Sequence, residues 1–171
     1  MKPTIELRKI SHNASLSEET FAYTAQVWAN GVHICDVSNH GHGGCDMQYP
    51  AKGKTHKDVT ALNDLIKATF PKEDTGMELD GKPFIMEPSL ESVCHGLVSE
   101  WLIEKDLKRL LKRTVAFMPA DKNEVRTYKG KIADADRPKY YEAANKQYPN
   151  ARILNTMPFA DALALYRKSA A

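Results

Sequence analysis

The amino-acid sequence predicts an α+β protein in which a largely antiparallel sheet, an N-terminal three-stranded meander plus a later hairpin, is covered on one face by helices. Three observations predict it. Asn30-Gly31 stands between two alternating segments, and a type I′ hairpin turn needs positive φ at both central residues, which this pair accepts. Val59, Leu62, Leu65, Ile66 and Phe70 recur at the spacing of one helix face, as do Val93, Leu97, Trp101 and Leu102. The order of elements, βββ-α-α-ββ-α-β-α, is that of helices laid over an antiparallel sheet.

Residues 4–10 alternate Ile5 and Leu7 with polar side chains and read as the first strand. A polar connection, residues 11–19, leads to the Asn30-Gly31 hairpin. A two-residue loop without irregularity pairs Ala29 with Val32, Trp28 with His33, Val27 with Ile34, Gln26 with Cys35 and Ala25 with Asp36. That register predicts a buried face of Phe21, Tyr23, Ala25, Val27, Ala29, Val32 and Ile34. The other face then carries Thr24, Gln26, Trp28, His33, Cys35 and Val37. Thr55 and Asp58 have capping-box spacing ahead of a helix over residues 55–70, which Pro71 ends. Residues 72–88, with two glycines and two prolines, read as a long surface loop. Ser89 caps a helical stretch over residues 90–113, in which Glu104-Lys105-Asp106 leaves open whether there is one helix or two. Strands at 114–118 and 124–128, a short helix at 139–148, a brief strand at 152–155 and a last helix at 158–168 complete the chain.

A chain of 171 residues is long enough for one self-sufficient core, and with no linker or repeat in view residues 1–171 are expected to form a single domain. No run of about 18 apolar residues exists and the N-terminus lacks an apolar signal core, so a cytoplasmic protein without membrane contact is expected. Three cysteines cannot all pair, which fits a reducing compartment. The formal net charge of +2 gives no global argument for nucleic acid.

Chemistry-bearing residues concentrate in residues 39–46, Asn39-His40-Gly41-His42-Gly43-Gly44-Cys45-Asp46. Glycines let a backbone curl so that successive N–H groups face an anion, and His40 or His42 adds a donor. The segment is neither a phosphate-binding P-loop nor a dinucleotide fingerprint. His33, Cys35, His40, His42 and Cys45 are of the types that zinc accepts, but they lack paired C-x2-C spacing, so no metal is assigned. Cys45 with a histidine and Asp46 has the residue types of a nucleophilic site without its supporting motif. Cys94-His95 are neighbours on a helix and point about 100° apart, too far to form a dyad with each other. Lys108, Arg109, Lys112 and Arg113 form a basic helix face able to grip phosphates or an acidic partner. Trp28 beside His33 offers a large aromatic surface on the uncovered side of the hairpin.

The run Ser17-Glu18-Glu19-Thr20-Phe21-Ala22-Tyr23-Thr24-Ala25-Gln26-Val27-Trp28, followed by Asn30-Gly31, by Ser38-Asn39-His40-Gly41-His42-Gly43-Gly44-Cys45, by residues 105–113 and by the ending Ala151-Arg152-Ile153-Leu154-Asn155-Thr156-Met157-Pro158, resembles small accessory proteins of bacteriophages, prophages and plasmids. The resemblance implies a setting, the accessory proteins of mobile elements, many of which inhibit host defence; it carries no activity onto particular residues.

The expectation is therefore a non-catalytic binding protein of a mobile element, without cofactor, that counters host defence by sequestering a nucleotide-type ligand or blocking a host protein. Its contact surface would be Trp28, His33, Asn39, His40, Gly41, His42, Gly43, Gly44 and Asp46, with Lys108, Arg109, Lys112 and Arg113 as partner or phosphate contacts. Nucleic acid is disfavoured, since no helix-turn-helix, RNP or zinc-finger pattern accompanies the basic run. A hydrolase using His33, His40, His42 and Cys45, and an oligomeric structural protein, are the alternatives.

Overall fold

Asn30 and Gly31 take φ of 50° and 80°, the left-handed pair that a type I′ turn requires, and join β2 (Ala22–Ala29) to β3 (Val32–His40). The computed structural model to which this turn belongs describes residues 1–170. With β1 (Ile5–His12) and β4 (Met47–Pro50) the hairpin forms an antiparallel sheet in the order β1-β2-β3-β4, so the meander gains a fourth strand. The Asn30 side chain accepts from the Thr4 N–H at 2.9 Å, and Asn30 N–H donates to Thr4 O at 2.9 Å, which ties the turn to the first strand.

The predicted register holds for only two pairs. Ala29 faces Val32 and Trp28 faces His33, but a bulge then places Val27 opposite Cys35, Gln26 opposite Asp36 and Ala25 opposite Val37. One additional residue, Ile34, reverses the alternation of everything after it, because side chains along a strand repeat every two residues. Cys35, Val37 and Asn39 are consequently buried with Tyr23, Ala25, Val27 and Ala29, while Val32 is exposed. The predicted assignment of Cys35 and Val37 to the outer face, and of Val32 and Ile34 to the core, is corrected accordingly.

The chain packs into two compact units, residues 1–99 and 100–171. In the first, α1 (His56–Thr69) buries Val59, Leu62 and Ile66. At its start, Asp58 Oδ2 accepts from the Thr55 N–H at 2.8 Å and the Thr55 hydroxyl at 2.7 Å, as the capping-box spacing predicts. Residues 72–88 are not an irregular loop. They contain a two-stranded antiparallel arm, β5 (Glu73–Leu79) and β6 (Lys82–Met86), turning at Asp80 (φ 53°) and Gly81 (φ 73°). Asp-Gly is a hairpin signal of the same kind as Asn-Gly, and here the surrounding prolines and glycines masked it.

Residues 90–113 form a single helix, α2 (Leu90–Arg113), with no break at Glu104-Lys105-Asp106. Its residues up to Ser99 belong to the first unit and bury Leu90, Cys94 and Val98. The second unit holds the remaining turns, a small antiparallel sheet in the order β8-β7-β9, and two further helices. Its strands are β7 (Ala116–Met118), β8 (Arg126–Thr127) and β9 (Arg152–Ile153). Its helices are α3 (Arg137–Gln147) and α4 (Phe159–Ala170). Leu107, Met118, Leu154, Ala162 and Leu163 make its main core. Asn155 closes the end of α2: its Nδ2 donates to Leu111 O and Thr114 O at 3.1 and 2.9 Å, and its Oδ1 accepts from Ala116 N–H at 2.8 Å.

Charge divides unequally between the units. The first carries nine Lys and Arg against thirteen Asp and Glu; the second carries fifteen against nine. The near-neutral total thus combines an acidic unit with a basic one.

Candidate functional site

The bulge in β3 decides what residues 39–46 can do. It turns Asn39 inward, where all four hydrogen-bonding positions of the side-chain amide are filled. Its Oδ1 accepts from the Thr20 hydroxyl at 2.8 Å and the Gly41 N–H at 2.9 Å, and its Nδ2 donates to Gly44 O at 3.1 Å and Asp46 Oδ1 at 3.0 Å. Gly41 is buried, and its carbonyl accepts from the N–H groups of Glu18, Glu19 and Thr20. At φ 89° a Cβ here would lie 2.0 Å from Leu16 O, so this position has room for glycine alone. At Gly43 a Cβ would meet the Glu19 carboxylate, whereas Gly44 borders open space.

The bend is therefore held from within, by the Asn39 amide and by the Gly41 N–H and carbonyl. Asn39, Gly41 and Asp46, expected as ligand contacts, are internal; His40, His42, Gly44 and Cys45 remain at the surface. His42 Nδ1 lies 3.1 Å from Glu18 Oε2, and His33 Nε2 lies 3.2 Å from Asp36 Oδ1. Cys35 is buried, its thiol pushed up to about 11 chiefly by burial, while Cys45 is exposed. The zinc-type set His33, Cys35, His40, His42 and Cys45, which includes the four residues of the hydrolase alternative, is thus dispersed: two histidines pair with separate acids and the two thiols lie in opposite environments.

A different cluster converges behind the bend. The Asp46 side chain is wholly shielded from solvent. It accepts from the Tyr23 hydroxyl and from Asn39, and its Oδ1 lies 3.1 Å from His95 Nε2. Glu91 Oε1 accepts from the Asp46 N–H at 3.1 Å. Glu91 and His95 are four apart on α2 and so share one face. Phe21 and Tyr23 meet the His95 ring edge to face, at centroid separations of 6.2 and 5.9 Å, which fixes its plane.

Burial alone would raise the Asp46 carboxyl, but the bonds from His95, Tyr23 and Asn39 outweigh it and hold the group below the usual range. His95 is raised, first by its bond to Asp46 and against the cost of its own partial burial. Tyr23 is raised far above an ordinary phenol, by burial and then by its bond to Asp46. Among the described residues, Asp46, Glu91 and His95 are the one group of three His, Cys, Asp or Glu side chains whose ligand atoms all lie within 4.8 Å of one another. Of these only Asp46 is among the contacts expected from the sequence. The sequence signal for the other two is the Glu-x-x-x-His spacing at 91–95, which puts both side chains on one helix face, whereas His95 and its neighbour Cys94 diverge.

Trp28 is not an open platform either. The Arg8 guanidinium from β1 lies 3.9 Å from its ring centroid, and the His33 ring from β3 is stacked on it at 5.3 Å and 11°. Arg8 is paired in turn with Glu6 at 2.9 Å. Since β1 and β3 flank β2 on opposite sides, the indole is covered from both and forms part of a ladder across the outer face of the sheet.

On the basic helix face, Lys108 pairs with Glu104 at 3.2 Å and Arg109 with Asp106 at 3.1 Å, while Lys112 and Arg113 are exposed. The surface that stands out lies elsewhere, on the arm. Met77, Leu79, Phe84, Ile85 and Met86 are all exposed there, Met77 and Leu79 at 60% and 63%. Among the described residues β5 and β6 hydrogen-bond as strands only with each other.

No helix among the described residues is long and apolar enough to cross a membrane. No family model, curated protein or solved structure matches the chain.

Proposed function

We propose that this chain is a non-catalytic binding protein that engages another protein through the arm formed by β5 and β6. The observation that carries the reading is the exposure of five large apolar side chains on a two-stranded element. An isolated hairpin is marginal in water, and clustered apolar surface costs solubility unless something covers it, so such an arm is best explained by a partner. Among the described residues β5 and β6 pair as strands only with each other, which leaves each an outer edge for strand addition. Glu73, Asp74, Glu78 and Asp80 against Lys82 give it an acidic rim, which favours a partner segment that is basic as well as apolar.

Of the two forms that the expectation took, blocking a host protein is favoured over sequestering a nucleotide, because the exposed apolar arm suits a protein partner and the Gly41 and Asp46 N–H groups of the bend are engaged internally. The resemblance to accessory proteins of mobile elements supports a host factor as the partner.

The test replaces Met77, Leu79, Phe84 and Ile85 together by serine and compares it with the double variant H40A/H42A. A partner that co-purifies from the host and reassembles with the purified chain should bind the arm variant at least about tenfold more weakly, the loss of about 1.4 kcal/mol or more. It should bind the histidine variant unchanged. The reverse pattern would return the contact surface to the bend and remove this reading. A stable dimer of the chain alone that the arm variant dissolves would replace the external partner by a second copy.

A further inference from the structure

We propose that Asp46, Glu91 and His95 form a binding site for one divalent transition-metal ion of the zinc or manganese type, which pins the bend of residues 39–46 to α2. The site is separate from the arm and does not depend on the reading above.

The donor set comes first. One imidazole nitrogen and two carboxylates, with ligand atoms mutually within 4.8 Å, is a mixed N/O set of the kind that zinc and manganese accept. Two ligands each about 2.1 Å from a tetrahedral ion lie about 3.4 Å apart. His95 Nε2 and Asp46 Oδ1 are 3.1 Å apart, so an ion replaces the proton they share with little movement of either.

Charge balance is a second and independent observation. Two carboxylates meet here, one of them wholly shielded, and among the described residues no Lys or Arg forms an ion pair with either. Even with His95 protonated the cluster keeps one unbalanced negative charge, an expensive arrangement beside a core. A divalent ion with neutral His95 cancels it.

The groups around the ligands are those that orient a metal site. Tyr23 and Asn39 hydrogen-bond the Asp46 carboxylate, the Asp46 N–H holds Glu91, and Phe21 and Tyr23 fix the imidazole plane. By contrast His40, His42 and Cys45 are exposed, and His42 lies against the exposed carboxylate of Glu18.

The experiment is calorimetric titration of the chelator-treated full chain with zinc chloride and, separately, manganese chloride, alongside melting curves with and without the metal. One ion per chain should bind, with a rise in melting temperature. E91Q keeps an oxygen to accept from the Asp46 N–H but removes the charge; it should fold and bind at least about tenfold more weakly. H95A should abolish binding. The variant H40A/H42A/C45S should bind as the wild type does. The proposal is overturned by absence of binding at about 100 μM metal, by E91Q binding as tightly as wild type, or by loss of the site in H40A/H42A/C45S, which would place any ion on the outer side chains.

Discussion

Residues 39–46 and residues 73–86 make opposite use of their composition. The first segment has the histidines, the glycines and the exposed thiol, yet its key polar atoms bond inward, to Thr20, Gly44, Asp46 and the 18–20 backbone. The second has no histidine or cysteine, yet it forms a pair of strands and turns its apolar side chains to solvent. Residue types that can bind a ligand are the same types that can satisfy a tight turn. What separates the two uses is where the backbone and side-chain polar groups find partners, and that depends on residues distant in sequence.

This contrast is tested most severely at the glycines. G41A should cost about 3 kcal/mol or more in chemical denaturation, since it combines left-handed strain with a Cβ driven against Leu16 O. G44A, equally left-handed but in open space, should cost about 1–2 kcal/mol. Equal losses at the two positions would mean that the bend is not packed as described. Next, the four-serine arm variant should shift stability by less than about 1 kcal/mol, because those side chains are already exposed in the isolated chain. A large loss would show that the arm is covered by its own chain. The mildest probe is alkylation of the native protein: Cys45 should react at once, with Cys35 and Cys94 protected until unfolding, both thiols being buried and raised. Rapid modification of Cys35 would contradict the inward face assigned to β3.

The α+β class was legible because its signals are local. Asn30-Gly31, the Thr55/Asp58 cap and the apolar stripes of α1 and α2 each act within a few residues. The candidate site was not, for two physical reasons. A bulge is one extra residue with no residue type of its own, so nothing marked Ile34, and every later side chain of β3 was placed on the wrong face. Asp46, Glu91 and His95 then meet across 49 positions, and only the helical spacing of the last two is visible in the sequence. The arm is legible only at Asp80-Gly81, because its strands lack the alternation that burial of one face imposes.

Ile34 also gives the hairpin an unequal tolerance to changes of length. Excising it would leave Val32, His33, Cys35, Asp36 and Val37 opposite the same partners in an unbroken ladder, at the expense of the acceptor that the Ile34 carbonyl provides for the Ala51 N–H. Removing a residue between Cys35 and Asn39 would instead swing the remainder of the strand over, carrying Asn39 into water and unfastening the bend. A chain shortened by one amino acid should survive in the first case and collapse in the second, although the two genes differ by a single shifted codon.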